Sequence, residues 1–254
     1  MTALAFWPPV ERNLLAYRRY WAAFLTGFAE PLLYLLSIGI GVGALAGRIT
    51  VFGDSVPYRT FVAPGMLAAS AMNGAVLDST FNFFFKFKYA KTFDSMLATP
   101  LRTTDIAVGE LFWAQMRSTV YAVAFLVTMA ALGLVRGPWV VFAIPASMLI
   151  GFAFGGVGMA ATTWMKSFLH FDYINLALIP LFLFSGTFFP LSLYPGPLQW
   201  IVRLTPLYQG VALERELVLG HVGLVSLGHA VYLAAFGTVG VWVTRNRLTQ
   251  LLLP

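Results

Sequence analysis

WVVFAIPASMLIGFAFGGVGMAATTWM, residues 139–165, decides the fold, because no charged residue falls between Arg136 and Lys166. A helix rises 1.5 Å per residue, so about 20 apolar residues cross about 30 Å of hydrocarbon. This stretch is long enough. Working outward, the same test picks out residues 21–46, 61–85 and 106–134 before it, and 173–189 and 224–244 after it. The stretch 173–189 is the shortest of the six. The composition agrees: 59% of residues are hydrophobic and only 10% charged, against about 25% charged in a soluble domain. Lipid must therefore solvate much of the surface.

Small residues mark helix faces suited to close packing in lipid. They are Gly39, Gly41 and Gly43 in the first span, and Gly151, Gly155, Gly156 and Gly158 in the fourth. Pro31, Pro64, Pro145 and Pro180 lie in or near spans and are candidates for kinks.

The basic residues set the orientation. Arg12, Arg18, Arg19, Lys86, Lys88, Lys91, Arg102, Lys166, Arg245 and Arg247 fall on one side. Arg48, Arg59, Arg136, Arg203 and Arg215 fall on the other. The positive-inside rule puts the richer side, with both termini, in the cytoplasm. The net charge of +6 is thereby read as topology, and nucleic acid is not expected as a partner. With no cysteine in the chain, disulfides and thiolate chemistry are excluded. His170, His221 and His229 are spaced too widely for a metal-ligand pattern, so no metal is expected. Residues 1–20 lack the apolar core of a signal peptide.

Chemistry outside the spans is left to three segments. After Pro8-Pro9, the residues Val10, Leu14, Tyr17 and Trp21 share one helical face, with Arg12 and Arg18 largely elsewhere. The pattern predicts an amphipathic helix at the inner interface. Two accounts stand: a lipid-surface anchor, or an anchor that also touches a partner. The inner loop KFKYAKTFDSMLATPLRTTDIAVGE, residues 86–110, repeats Tyr89, Phe93, Met96 and Leu97 on one face, with Asp94 among them and Pro100 as a stop. A short helix with an exposed apolar face suits a groove on another protein, and an interfacial hairpin is the plainer account. Thr103 or Thr104 is placed to cap the third span, with Asp105 in its first turn. The outer loop, residues 190–223, holds two apolar pieces too short to span, broken at Thr205-Pro206. These read as interfacial or re-entrant helices.

Ionisable residues in or near the spans are Glu30, Asp78, Glu110, Arg117 and His229. Such groups are expensive in lipid and should face protein or water. An interhelical pair is the plain account, and contact with a solute the sharper one. Glu30, Asp78, Phe81, Phe184 and Phe188 are the candidate path residues on the sharper account. The aromatics otherwise pack between helices or meet lipid.

The order of parts resembles the type-2 ABC exporter permeases. Phe93-Asp94-Ser95-Met96-Leu97-Ala98-Thr99-Pro100-Leu101 is similar to that family's coupling helix. Phe184-Ser185-Gly186-Thr187-Phe188-Phe189-Pro190 is similar to the segment ending its fifth helix. Leu204-Thr205-Pro206-Leu207-Tyr208, with Gly210, is similar to its short outer helices. The pattern is most like the branch holding lipooligosaccharide and daunorubicin-type drug exporters. Glu110 departs from it, since a neutral or basic residue is expected there.

The resemblance implies an all-α membrane domain over residues 1–254, with an interfacial helix in 1–20 and a six-helix permease in 21–254. It also implies a bacterial inner-membrane location, pairing with a second copy or a sister permease, and docking on a separate ABC ATPase. ATP and Mg would then sit on that partner, because no G-x-x-x-x-G-K-[ST] stretch occurs in this chain. Coupling would run through Tyr89, Phe93, Asp94, Met96, Leu97 and Pro100, with Arg12 and Arg18. The cargo would be a lipid, a lipid-linked saccharide or a hydrophobic drug.

Two other classes carry different sequence signatures. A proton-coupled carrier predicts buried acidic pairs and broken midplane helices. A membrane-embedded enzyme needs a nucleophile with its base, a metal cluster or paired acids. The sequence displays neither set.

Overall fold

The computed structural model describes residues 6–18 and 22–253. The side chains of Tyr17, Arg18 and Glu30 lie outside the described residues, as do Arg19 and Trp21 entirely. The chain is mostly helical. Helix α1 (Trp7–Arg18) is followed by α2 (Ala22–Ala46) and a small hairpin, β1 (Arg48–Val51) and β2 (Asp54–Pro57). The hairpin is antiparallel, with Arg48 opposite Pro57 and Val51 opposite Asp54. Its two-residue turn, Phe52-Gly53, has φ of 53° and 88°, the mirror-image turn that suits strand twist. The hairpin corrects the all-α expectation.

Helix α3 (Tyr58–Leu77) runs on through two π-helical turns, Asp78–Asn82 and Phe85–Tyr89. Then come α4 (Thr92–Leu97), α5 (Thr103–Ala131), a 3-10 turn at Pro138–Phe142, α6 (Ala143–Thr162), α7 (His170–Leu183), α8 (Gly196–Arg203), α9 (Pro206–Leu219) and α10 (Leu224–Leu252). Among the described residues, three helices are long and apolar enough to cross a membrane: Tyr58–Tyr89, Pro138–Thr162 and Leu224–Leu252. Helix α5 is as long, but it carries Asp105, Glu110 and Arg117.

The Tyr58–Tyr89 helix is the hub. Its apolar residues, including Phe61, Met66, Leu67 and Met72, are buried against α5, α6 and α9. Ionisable groups are buried beside this apolar core, and large apolar side chains are exposed around it. Asp78, Glu110, Arg117, Glu214 and Arg215 are buried, whereas Leu176, Leu224, Val231 and Trp242 are exposed. That inversion is what a lipid-bathed bundle requires.

The fourth-span glycines behave as expected. Helices α6 and α10 touch backbone to backbone at Gly156 and Gly240, where a Cβ on Gly240 would lie 2.5 Å from the Gly156 carbonyl carbon. Gly151 and Gly158 instead receive side chains, those of Ser118 and Ser79. The first-span glycines differ: Gly41 meets nothing within 4 Å, and Gly43 meets only Tyr58, at 3.9 Å. Gly39 would meet the Arg59 Cβ at 3.5 Å, so among the described residues the close packing expected of this glycine face is missing at Gly41 and Gly43.

Two boundaries move. Helix α7 stops at Leu183 because Ser185-Gly186 turns the chain, with Gly186 at φ 72°. Helix α5 begins at Thr103, but its cap is not a threonine. The Asp105 carboxylate accepts from the Arg102 N–H at 2.9 Å, holding a negative charge in the first turn as the helix dipole favours.

Candidate translocation cavity and inner surface

A cavity of about 550 Å³ lies between α2, the α3 hub and α7. Pro31 and Tyr34 line one wall, Met72, Val76 and Phe81 another, and Phe171, Leu178 and Phe182 the third. The polar groups among its lining residues are neutral: Asn73, Thr80, Asn175 and the Tyr34 hydroxyl. An apolar cleft with a few uncharged hydrogen-bonding groups accepts an amphipathic molecule without having to desolvate a charge.

Aromatic rings close the end of the cavity at Phe168 and Phe171. Phe81 lies 5.9 Å from Phe168 and 5.5 Å from Phe171, and Tyr89 stacks on Phe168 at 5.0 Å. Beyond Phe182, the last lining residue of α7, the turn at residues 184–189 is held by a web of hydrogen bonds. Ser185 and Thr187 share a hydroxyl hydrogen bond of 2.7 Å. Tyr58 donates its hydroxyl to the Phe188 carbonyl at 3.2 Å. Arg215 donates to the Gly186 carbonyl at 2.8 Å and to the Phe61 carbonyl at 3.3 Å, with its guanidinium 4.0 Å from the Phe61 ring centre. Burial in α9, which is not a spanning helix, pulls the Arg215 pKa down to about 10, so it stays cationic at neutral pH. Its neighbour Glu214 is held well above the usual carboxylate range by burial, against a hydrogen bond from Ser147 at 2.7 Å.

The path residues read from sequence separate here. Phe81 lines the cavity. Asp78 does not: it faces Arg117 at 3.4 Å, and both are nearly fully buried. Phe188 does not line the cavity but packs edge-on, at 5.2 Å, against Phe182, which does. Phe184 is exposed, with its ring 6.1 Å from Tyr194. The side chain of Glu30 is outside the described residues. Sequence reading missed Asn73 and Asn175, which look like ordinary span residues. It also counted Arg215 as a surface charge, because nothing local says that α9 folds inward.

The inner surface needs two corrections. The helix expected from Tyr89 to Leu97 is only Thr92–Leu97, because Lys91 adopts φ 48° and breaks it. Tyr89 belongs to the second π-helical turn instead. The apolar face of α4 points inward, not toward a partner. Phe93 is fully buried, 5.0 Å from Phe83 and 6.1 Å from Phe87. Met96 and Leu97 are half-buried against the same cluster. The side presented outward is Asp94, Ser95, Ala98, Thr99 and Pro100. Nearby, α1 lies on α5, with Val10 and Asn13 buried and Leu14 and Leu15 exposed. Arg12 is half-exposed and lies 3.9 Å from Glu110. Among the described residues no three His, Asp or Glu side chains converge as a metal site would need.

Comparison with known proteins decides the family. The ABC-2 type transporter pattern matches residues 5–218. The chain belongs to the ABC-2 type transporter family. Relatives in this family include Nodulation protein J of Rhizobium leguminosarum bv. trifolii, 34% identical over 220 residues, which are 86% of this chain and 81% of that one. Nodulation protein J of Rhizobium meliloti strain 1021 is 31% identical, over 99% of this chain and 94% of its own length. That of Sinorhizobium fredii is 32% identical, over 98% and 94%. This ABC-2 chain is therefore a membrane permease, and its similar relatives are bacterial. Proteins of the ABC-2 family form the membrane component of transporters and generally work with an ABC ATPase.

Proposed function

We propose that the chain is the six-span permease of an ATP-driven exporter that carries an amphipathic or lipid-linked solute out of a bacterial inner membrane. The spans are α2, the α3 hub, α5, α6, α7 and α10, with both termini cytoplasmic, and residues 1–254 form one domain. The observation that carries this reading is the cavity: apolar and aromatic walls with a few neutral polar groups. A separate ATPase carrying ATP and Mg docks on α4 through Asp94, Ser95 and Pro100, with Phe93 as the inward anchor.

A second copy, or a sister permease, completes the cavity. Among the described residues none on α7 is buried, although Leu169, Tyr173, Leu176 and Leu183 repeat at helical spacing and are exposed. A helix that walls a cavity on one side and presents a bare apolar stripe on the other fits a seam between two permeases.

The test is reconstitution. Permease and ATPase in liposomes should move a nitrobenzoxadiazole-labelled single-chain glycolipid between leaflets only with ATP. Phe81→Asp, which places a charge on the cavity wall, should stop transport while leaving the ATPase bound. Glycolipid movement that is unchanged by Phe81→Asp would refute the cavity as the path.

A further inference from the structure

Glu110 belongs to neither the cavity nor the α4 surface, yet it is 4% exposed in the inner half of the bundle. One carboxylate oxygen pairs with the Lys86 ammonium, itself 9% exposed. The other accepts from the Asn13 amide at 3.3 Å and lies 3.9 Å from Arg12. Arg12 in turn donates to the Asn13 side-chain oxygen at 2.8 Å. Three elements therefore meet at one anion: α1, the inner end of the Tyr58–Tyr89 helix, and α5.

The surrounding packing makes this corner stiff. At the adjacent Gly109 a Cβ would lie 2.7 Å from the Phe6 carbonyl oxygen and 2.8 Å from Pro9, so α1 rests directly on α5. Lys86 and Glu110 close the base of the chain segment whose tip is α4. Phe93 fixes that tip to Phe83, Phe87 and Ile106 in one cluster. Farther into the bundle the same two helices are clasped again, by Asp78 and Arg117. The signs are reversed there: the hub helix supplies the cation at the inner pair and the anion at the deeper one. Two ion pairs of opposite sense at two heights resist both sliding and rotation of one helix against the other. A buried pair held in this way is weak as a source of stability but strong as a fixer of geometry, because breaking one partner strands a charge.

We infer that Glu110 is a positioning residue that joins α1, α4 and the second and third membrane helices into one lever, so that motion received at α4 reaches the cavity wall at Phe81 instead of being absorbed in the loop. The inference rests on the reading of α4 as the ATPase dock.

The experiment uses the permease co-expressed with its ATPase in liposomes, and records ATP hydrolysis and movement of the labelled glycolipid together. Glu110→Gln should lower glycolipid moved per ATP by about tenfold, within the usual range of site-to-site coupling, while the ATPase co-purifies in the wild-type amount. Lys86→Met with Glu110→Gln removes the pair instead of breaking it. Thermal stability should return toward wild type while transport per ATP stays low. A double variant with both stability and transport per ATP at wild-type levels would show the pair to be purely structural and overturn the inference. If the buried substitutions prevent insertion, Arg12→Ala with Asn13→Ala decides, since it touches only the α1 leg. Reduced transport per ATP there supports the lever, and unchanged transport per ATP overturns it. Asp94→Lys keeps the two readings apart: an ATPase that still binds normally to that variant refutes the dock on α4, whatever the Glu110 variants do.

Discussion

Replacing Phe93 by Ala should detach α4 from the bundle while leaving the membrane helices in place. Phe93 is the one α4 side chain that is fully buried. Burying a phenylalanine contributes about 1.5–3 kcal/mol, and its two ring contacts, to Phe83 and Phe87, add about 0.5–1.5 kcal/mol each. Phe→Ala in packed cores costs about 3–5 kcal/mol, so about 3 kcal/mol is a conservative loss. A six-residue helix has too few turns to hold itself together in water; the loss therefore falls on the docking of α4 and not on the spans. At about 1.4 kcal/mol per factor of ten, amide exchange over residues 92–102 should speed up roughly 100-fold. Exchange in α6 and α10 should stay within a few-fold of wild type. The assay is hydrogen–deuterium exchange by mass spectrometry in detergent or nanodiscs. Phe93→Leu, which keeps most of the apolar volume, should cost about 1 kcal/mol and give an intermediate rate. Unchanged exchange over residues 92–102 in Phe93→Ala, or loss spread evenly over all helices, would refute the anchor.

Three further outcomes are expected. Cysteines introduced at Ser95 and Gln199 should react oppositely with an impermeant thiol reagent added to whole cells, Gln199 labelled and Ser95 protected; the reverse pattern would invert the topology. Leu176→Cys should give a disulfide-linked permease dimer on mild oxidation, seen on a non-reducing gel, whereas Leu224→Cys, exposed on α10, should not. Arg215→Met should loosen the turn at residues 184–189 by removing two charge-assisted hydrogen bonds of about 1.5–3 kcal/mol each, and ATP-independent glycolipid leak through reconstituted vesicles should rise; a tight vesicle would show that this turn does not seal the path.

The membrane character was legible because length and hydropathy are local properties. The charge-free run at residues 139–165 needs no partner to be read. The α6 glycines were legible for the same reason, since small residues on a lipid-embedded face have few other uses. The direction of α4 was not. An apolar stripe on a short helix is the same sequence whether it faces a partner or its own bundle, and Lys91 reverses the chain so that Phe93 meets Phe83 and Phe87. Glu110 stood out as an anomaly in sequence, but its partner Asn13 is 97 residues away, and no spacing rule connects them. Phe81 was legible as an aromatic near the inner end of a span. Asn73 and Asn175 were not, because a neutral amide inside an apolar run gives no signal until α7 is placed opposite α3.

The π-helical turns at Asp78–Asn82 and Phe85–Tyr89 give this helix an unusual sensitivity to length. A π turn is an α-helix that has taken in an extra residue, and such insertions gather at functional sites. In α winding, at 100° per residue, residue 86 would sit about 80° around the axis from residue 78. The wider turns advance less per residue, so Lys86 swings back toward the side on which Asp78 meets α5. Removing a single residue between 78 and 82 would let the first π turn relax to ordinary winding with every other side chain chemically intact. It would also turn Phe84, Lys86 and Tyr89 off their present partners together. Within this stretch, the number of residues is as much a part of the working structure as their identity.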